Sequence, residues 1–166
     1  MARKVFFSFY FAADAWRTSQ VRSIGAIEGN KAVSDNDWEA VKKGGDRAIE
    51  NWIDGQLSGK SCTVVLVGAA TAERKWIDYE IVKSWNGSKG VVGIRIHNLK
   101  DASGKTSSMG KNPFDAITLK NGTKKMADVV TLYNPPGSTS KEVYDNIANN
   151  IESLVEKAIK IRDNYV

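Results

Sequence analysis

The chain has 166 residues, 42% apolar and 26% charged, with a formal net charge of +5 at pH 7. This composition fits a folded domain with one sizeable core, and no stretch approaches the ~20 apolar residues that a membrane-spanning helix requires. The lysines are scattered, with no polybasic arm and no nucleic-acid motif, so the charge favours phosphate-bearing ligands in general over nucleic acid, and the single cysteine, Cys62, fits a reducing, cytoplasmic setting.

The N-terminal stretch "MARKVFFSFYFAADAW" has the outline of a signal peptide. Its apolar run is short and aromatic, however, and meets Asp14 at once, so "KVFFSF" (4–9) is expected to be a buried first strand. A helix is predicted over 12–26, with Trp16, Ser19 or Gln20, and Ser23 or Ile24 at helical spacing and Gly25 as its stop. Residues 26–33 allow a brief edge strand broken at Gly29-Asn30. A long helix is predicted over 34–59, capped by Ser34 with Asp37 three residues on. Trp38, Val41, Ala48, Ile49, Trp52, Ile53 and Leu57 form its apolar stripe, Gly44-Gly45 marks a kink or a close backbone approach, and Gly59 closes it.

"SCTVVLVG" (61–68) is a β-branched run without charge, as in a central parallel strand covered on both faces; Cys62 opens it as a small buried hydrophobe. The helix in "AATAERKWIDYEIVKSW" follows and ends near Asn86-Gly87. "GVVGIRIH" (90–97) is the next strand, and 98–115 a long polar loop of the kind that is functional or mobile. A last strand over 127–133 ends at Pro135-Pro136, and a closing helix runs over about 138–163, capped by Ser138 or Ser140.

Alternation of this kind predicts an α/β chain: one domain over 1–166, with a parallel sheet in the doubly wound, flavodoxin-like strand order 2-1-3-4-5. Ligands of such sheets sit outside the carboxyl ends of the strands at the switch point. That point receives Ser8, Phe9, Tyr10 and Phe11 from one strand, and Gly68, Ala69, Ala70 and the next helix start from the other. The acidic residues of a phosphoacceptor receiver are missing there, as are GxxxxGK[ST] and GxGxxG, and no metal site is expected. What remains is aromatic surface able to stack a nicotinamide or an adenine, with Tyr10 at the rim and the other aromatics in the core. On the following helix Ile77, Ile81 and Trp85 share one face, Trp76, Tyr79 and Lys83 another, and Glu80 falls on the flank between them. Spacing alone leaves Glu80 open to two readings: a solvated residue with Lys83 three positions on, or a carboxylate half-buried at the edge of a cleft. His97 reads as a loop-edge histidine.

"VFFSFYFAAD" and "RKWIDYEIVKS", with "SDNDWEAVKKGGDRAIENWIDGQL", "TVVLVG", "VVGIRIHNLKD" and "GKNPFD" in that order, resemble the TIR-like family of bacterial antiphage defence, in particular the TIR-like subunit of the Thoeris system. The resemblance covers residues 3 to about 115. It rests on Phe7-Ser8-Phe9 before the first helix and on a W-x-x-x-E element at Trp76 and Glu80. It implies a flavodoxin-like fold and NAD⁺ glycohydrolase or cyclase activity. The implied product is a cyclic ADP-ribose second messenger that activates a separate effector protein after phage infection. NAD⁺ enters as substrate and no separate cofactor is implied; a phage component as trigger and assembly into homo-oligomers are implied as partners. The family's catalytic glutamate maps onto Glu80. Ser8, Phe9, Tyr10 and Trp38 are the expected substrate contacts, Trp76 is expected to pack the helix on the sheet, and Ser8 either orients the ligand or satisfies backbone groups of the turn. Tyr10 departs from the family, which usually has histidine there. The rival expectation is a non-catalytic TIR-like module for protein interaction or nucleotide sensing.

Overall fold

The computed structural model describes residues 2–30, 35–119 and 124–165, with the side chains of 35–38 outside that description. Strands β1 (Arg3–Phe9), β2 (Ile27–Gly29), β3 (Cys62–Val67), β4 (Gly90–Arg95) and β5 (Leu132–Tyr133) alternate with helices α1 (Phe11–Arg22), α2 (Asp35–Lys43), α3 (Gly45–Leu57), α4 (Lys75–Asn86) and α5 (Ser140–Asn164). All four strand pairings are parallel and the order is β2-β1-β3-β4-β5, the flavodoxin-like arrangement expected from the alternation. β3 is buried at every position, as a charge-free β-branched run at the centre of a covered sheet must be.

Period two along β1 sorts its side chains. Val5 and Phe7 join the core formed with α1 and α5, where Ile147, Ile151 and Val155 are fully buried. Phe6 faces the other way, against Ile49, Ile53 and Leu57 of α3. A third cluster sets Val65 and Val67 of β3 against Ile77, Ile81 and Trp85 of α4, with Phe114, Met126 and Val130 closing it.

Four expectations change. The helix predicted over 34–59 is two helices. Gly45, the first residue of α3, adopts φ +81°, a left-handed conformation that the interior of a right-handed helix does not hold, so the glycine pair is a break. The Ser34 cap lies outside the described residues. In α1 the buried face is Asp14, Arg17, Thr18 and Val21, while Trp16 is 56% exposed. The sequence stripe failed there because an ion pair, Asp14 to Arg17 at 2.9 Å, occupies the inward side. The strand expected over 127–133 shrinks to Leu132–Tyr133. Met126–Asp128 forms a 3₁₀ turn, which lets Met126 and Val130 both enter the core at helical spacing. Finally, α5 is capped by Thr139: its hydroxyl accepts from Glu142 N–H, while Glu142 accepts from Ser138 N–H in return.

The polar loop after β4 is tied down. Arg17 donates to the carbonyls of Leu99 and Lys105, Arg95 donates to that of Gly110, and Asp101 Oδ1 accepts from the amides of Ser103 and Lys105.

Candidate active site

The cleft of this protein originates in the shortness of β2. That strand pairs only with Arg3, Lys4 and Val5, so among the described residues the carboxyl half of β1 has no strand neighbour on that side. The backbone amide of Phe7, which would otherwise be orphaned, donates to Asn30 Oδ1. A cleft of about 930 Å³ opens between β1, α1, α2, α3 and α4. That volume suits a nucleotide-sized ligand.

Phe6, Phe7, Phe9, Tyr10 and Phe11 line it together with Trp52 and Trp76, and Glu80 stands among them. Glu80 is 9% exposed, deeper than the half-buried edge its position on the helix suggests, because Ser8 draws it in. Ser8 sits on the α4 side of β1, and its hydroxyl donates to Glu80 Oε1 at 2.6 Å. The turn beneath is fixed as well: Ser84 Oγ donates to the Glu80 carbonyl and lies 2.6 Å from Thr63 Oγ1 of β3. Burial pushes the Glu80 carboxyl up to about 8, against the opposing pull of the Ser8 hydroxyl. In the empty cleft it therefore holds a proton at neutral pH.

Of the expected site residues, Phe9, Tyr10 and Glu80 share the cleft, and Ser8 reaches it through Glu80. The Ser8 hydroxyl is directed at the carboxylate, a contact that neither of its expected tasks included. Tyr10 is at the rim as expected, under the guanidinium of Arg74 at 3.3 Å from its ring centre. The side chain of Trp38 lies outside the described residues. Trp76 packs beside Tyr79, ring centres 5.6 Å apart, against the cluster that Phe6 of β1 forms with Ile49, Ile53 and Leu57 of α3. Gly68, Ala69 and Ala70 are not among the lining residues, since the loop after β4 covers that strand end. A Cβ on Gly110 would lie 2.2 Å from the Gly68 carbonyl oxygen. His97 is buried, with its proton affinity lowered by desolvation and by Arg95 and Arg17. Sequence reasoning passed over Arg22, Asn30 and Arg74; a cation between Val21 and Ile24, both core residues, was the available signal.

Residues 6–101 match the family described as Thoeris protein ThsB, TIR-like domain. The chain belongs to the Thoeris ThsB TIR-like family. Every cleft-lining residue of this TIR-like chain falls inside the matched span. A curated relative from Bacillus cereus (strain MSX-D12), named "Putative cyclic ADP-D-ribose synthase ThsB1", is 38% identical over 122 residues. The alignment covers 70% of this chain and 64% of that protein, so the chain spans just under two thirds of its relative's length. Among solved structures, RosB with bound 8-demethyl-8-formylriboflavin-5'-phosphate aligns over 98% of this chain and 79% of its own, at a TM-score of 0.44 and 10% identity, too distant a likeness to bear on fold or function. Among the described residues no group of three or more His, Cys, Asp or Glu side chains is placed to hold a metal ion, and no helix is long and apolar enough to cross a membrane.

Proposed function

We propose that this TIR-like chain cleaves NAD⁺ between nicotinamide and ribose and closes the ADP-ribosyl part into a cyclic product, with Glu80 as the catalytic carboxylate. The observation that carries the reading is a buried glutamate, oriented by Ser8, inside an aromatic cleft at the carboxyl end of β1. The printed name of the Bacillus relative supports it.

The chemistry asks little of the protein beyond placement. As the C1′–N bond breaks, its electron pair neutralises the pyridinium nitrogen, so nicotinamide departs without a general acid. The ribosyl carbon becomes oxocarbenium-like, as in glycoside hydrolysis. A carboxylate at that carbon stabilises the charge in a site of low polarity. Glu80 is neutral in the empty cleft, and a pyridinium ring brought beside it lowers its proton affinity, so the cationic substrate itself switches the carboxylate on. A hydroxyl or ring nitrogen of the same ligand, held close by Phe9, Tyr10 and Trp76, then attacks the carbon and loses its proton, and the proximity of a folded ligand favours ring closure over water. In the cell the diffusible product reaches an effector protein, and a phage component is the trigger.

The test is release of nicotinamide from NAD⁺, by purified protein and by lysate of infected cells expressing it. Wild type is expected to release it and Glu80→Gln to lose at least 100-fold. Tight binding of intact NAD⁺ with no release in either sample would replace this reading with that of a nucleotide-sensing module.

A further inference from the structure

The cleft holds a second half-buried ionisable group, one that no carboxylate among the described residues offsets. Arg22, on the last turn of α1, lies half-buried over the rings of Phe7 and Phe9, 5.4 and 5.8 Å from their centres. Among the described residues its one hydrogen bond goes to the Asn30 carbonyl, leaving four of five N–H donors uncommitted. No carboxylate among the described residues pairs with it. Of the other cations of the cleft, Lys42 pairs with Glu39 at 3.0 Å and Lys75 with Asp46 at 2.5 Å. Arg74, whose Nε donates to the Ala70 carbonyl and whose face covers Tyr10, stands at the start of the helix that carries Glu80. Desolvation lowers the Arg22 proton affinity with no opposing cause, the mark of a cation lacking an anionic neighbour.

We propose that Arg22 is the diphosphate anchor of the cleft, its guanidinium fork taking the phosphate oxygens of a dinucleotide whose nicotinamide ribose lies at Glu80. The inference rests on the NAD⁺ reading for its choice of ligand. The geometry gives it a reason of its own: a planar fork fixed by Asn30 and two aromatic rings is pre-organised for bidentate phosphate recognition. Phe7 and Asn30 link the two ends of the site, because the Asn30 that positions Arg22 through its carbonyl also accepts from the Phe7 amide through its side chain, one residue before Ser8.

The experiment uses four ligands and two variants. ADP-ribose, which carries the diphosphate, and adenosine, which does not, are titrated calorimetrically into wild type, Arg22→Met and Arg22→Lys. Turnover of NAD⁺ is compared with that of nicotinamide riboside, which has the scissile bond and no phosphate. The expected result is a loss of ADP-ribose affinity of tenfold or more in Arg22→Met, partly restored in Arg22→Lys, with adenosine binding unchanged. KM for NAD⁺ rises by a similar factor and kcat falls with it, whereas nicotinamide riboside is turned over as by wild type. Unchanged ADP-ribose affinity in Arg22→Met overturns the proposal. So does an equal loss for ADP-ribose and adenosine, which would mean that Arg22 only supports the fold, and so does the absence of ADP-ribose binding to wild type. Should ADP-ribose binding depend on Arg22 while no sample releases nicotinamide, the anchor stands and the NAD⁺-cleaving function fails.

Discussion

Replacing Glu80 by glutamine should stabilise the protein, and the size of the gain follows from the burial of the carboxyl. In the unfolded chain the group titrates near its ordinary value of 4.5; in the fold burial raises it to about 8. Below 4.5 both states hold the proton and the group costs nothing. Between 4.5 and about 8 only the unfolded state releases its proton, so unfolding becomes easier as pH rises; above about 8 both are ionised and the cost levels off. At pH 7 the interval is 2.5 pH units above 4.5, at ~1.4 kcal/mol each, which comes to about 3 kcal/mol of lost stability. Glutamine keeps the oxygen that accepts from Ser8 and cannot ionise. Urea unfolding of Glu80→Gln and wild type at pH 5, 7 and 8.5 should therefore give a gap below about 1 kcal/mol at pH 5 and one of about 3 kcal/mol at pH 7, widening further at pH 8.5. The pH 7 gap corresponds to a rise in Tm of roughly 6–12 °C for a domain of this size. A variant no more stable than wild type at pH 7, or a gap independent of pH, would refute the argument that Glu80 is held against its own preference.

Three other outcomes can be checked. If the ionised Glu80 is the reacting form, kcat/KM for NAD⁺ should climb with pH up to about 8 and then flatten; Ser8→Ala removes the hydroxyl that favours the ionised form and should move that limb to higher pH, read from pH–rate profiles. Arg17→Met should cost about 3–5 kcal/mol in urea unfolding, since it strands Asp14 as a buried acid and frees the carbonyls of Leu99 and Lys105. Gly68→Ala should cost more than Gly45→Ala: the first drives a Cβ to 2.1 Å from Asp14 Oδ2, whereas the second meets nothing within 4 Å and loses only the ~1–2 kcal/mol of left-handed backbone strain, a ranking that thermal melts would check.

The sheet order was legible because β-branched and aromatic runs alternate with helix-spaced stripes, and right-handed crossovers leave few topologies for such an alternation. Glu80 was legible as a position; its burial was not. Helical spacing places it on a flank, and the depth comes from a hydroxyl 72 residues earlier in the chain, a contact no local pattern encodes. The inward face of α1 was misread for a related reason. A stripe argument counts apolar residues, and Asp14 and Arg17 cancel one another's charge only once folded together at 2.9 Å. The cleft wall itself depends on where β2 stops, and three residues of strand carry too little periodicity to announce their end.

Two ionisable groups thus share one cleft: a carboxyl that desolvation keeps neutral and a guanidinium with no anion beside it among the described residues. Each costs the empty fold something, and a core of this size could have been built without either. A ligand with a cation at one end and a dianion further along relieves both costs at once. The free energy recovered by restoring an ion pair at Arg22 is available to ionise Glu80 beside the pyridinium, so binding the remote half of the ligand supports chemistry at the near half. On this view a phosphate-free substrate should be slow even at saturation in wild type, because the anchor has nothing to hold and the ribose is free to shift away from the carboxylate. A nicotinamide riboside kcat equal to that for NAD⁺ would show that the two ends of the cleft act independently.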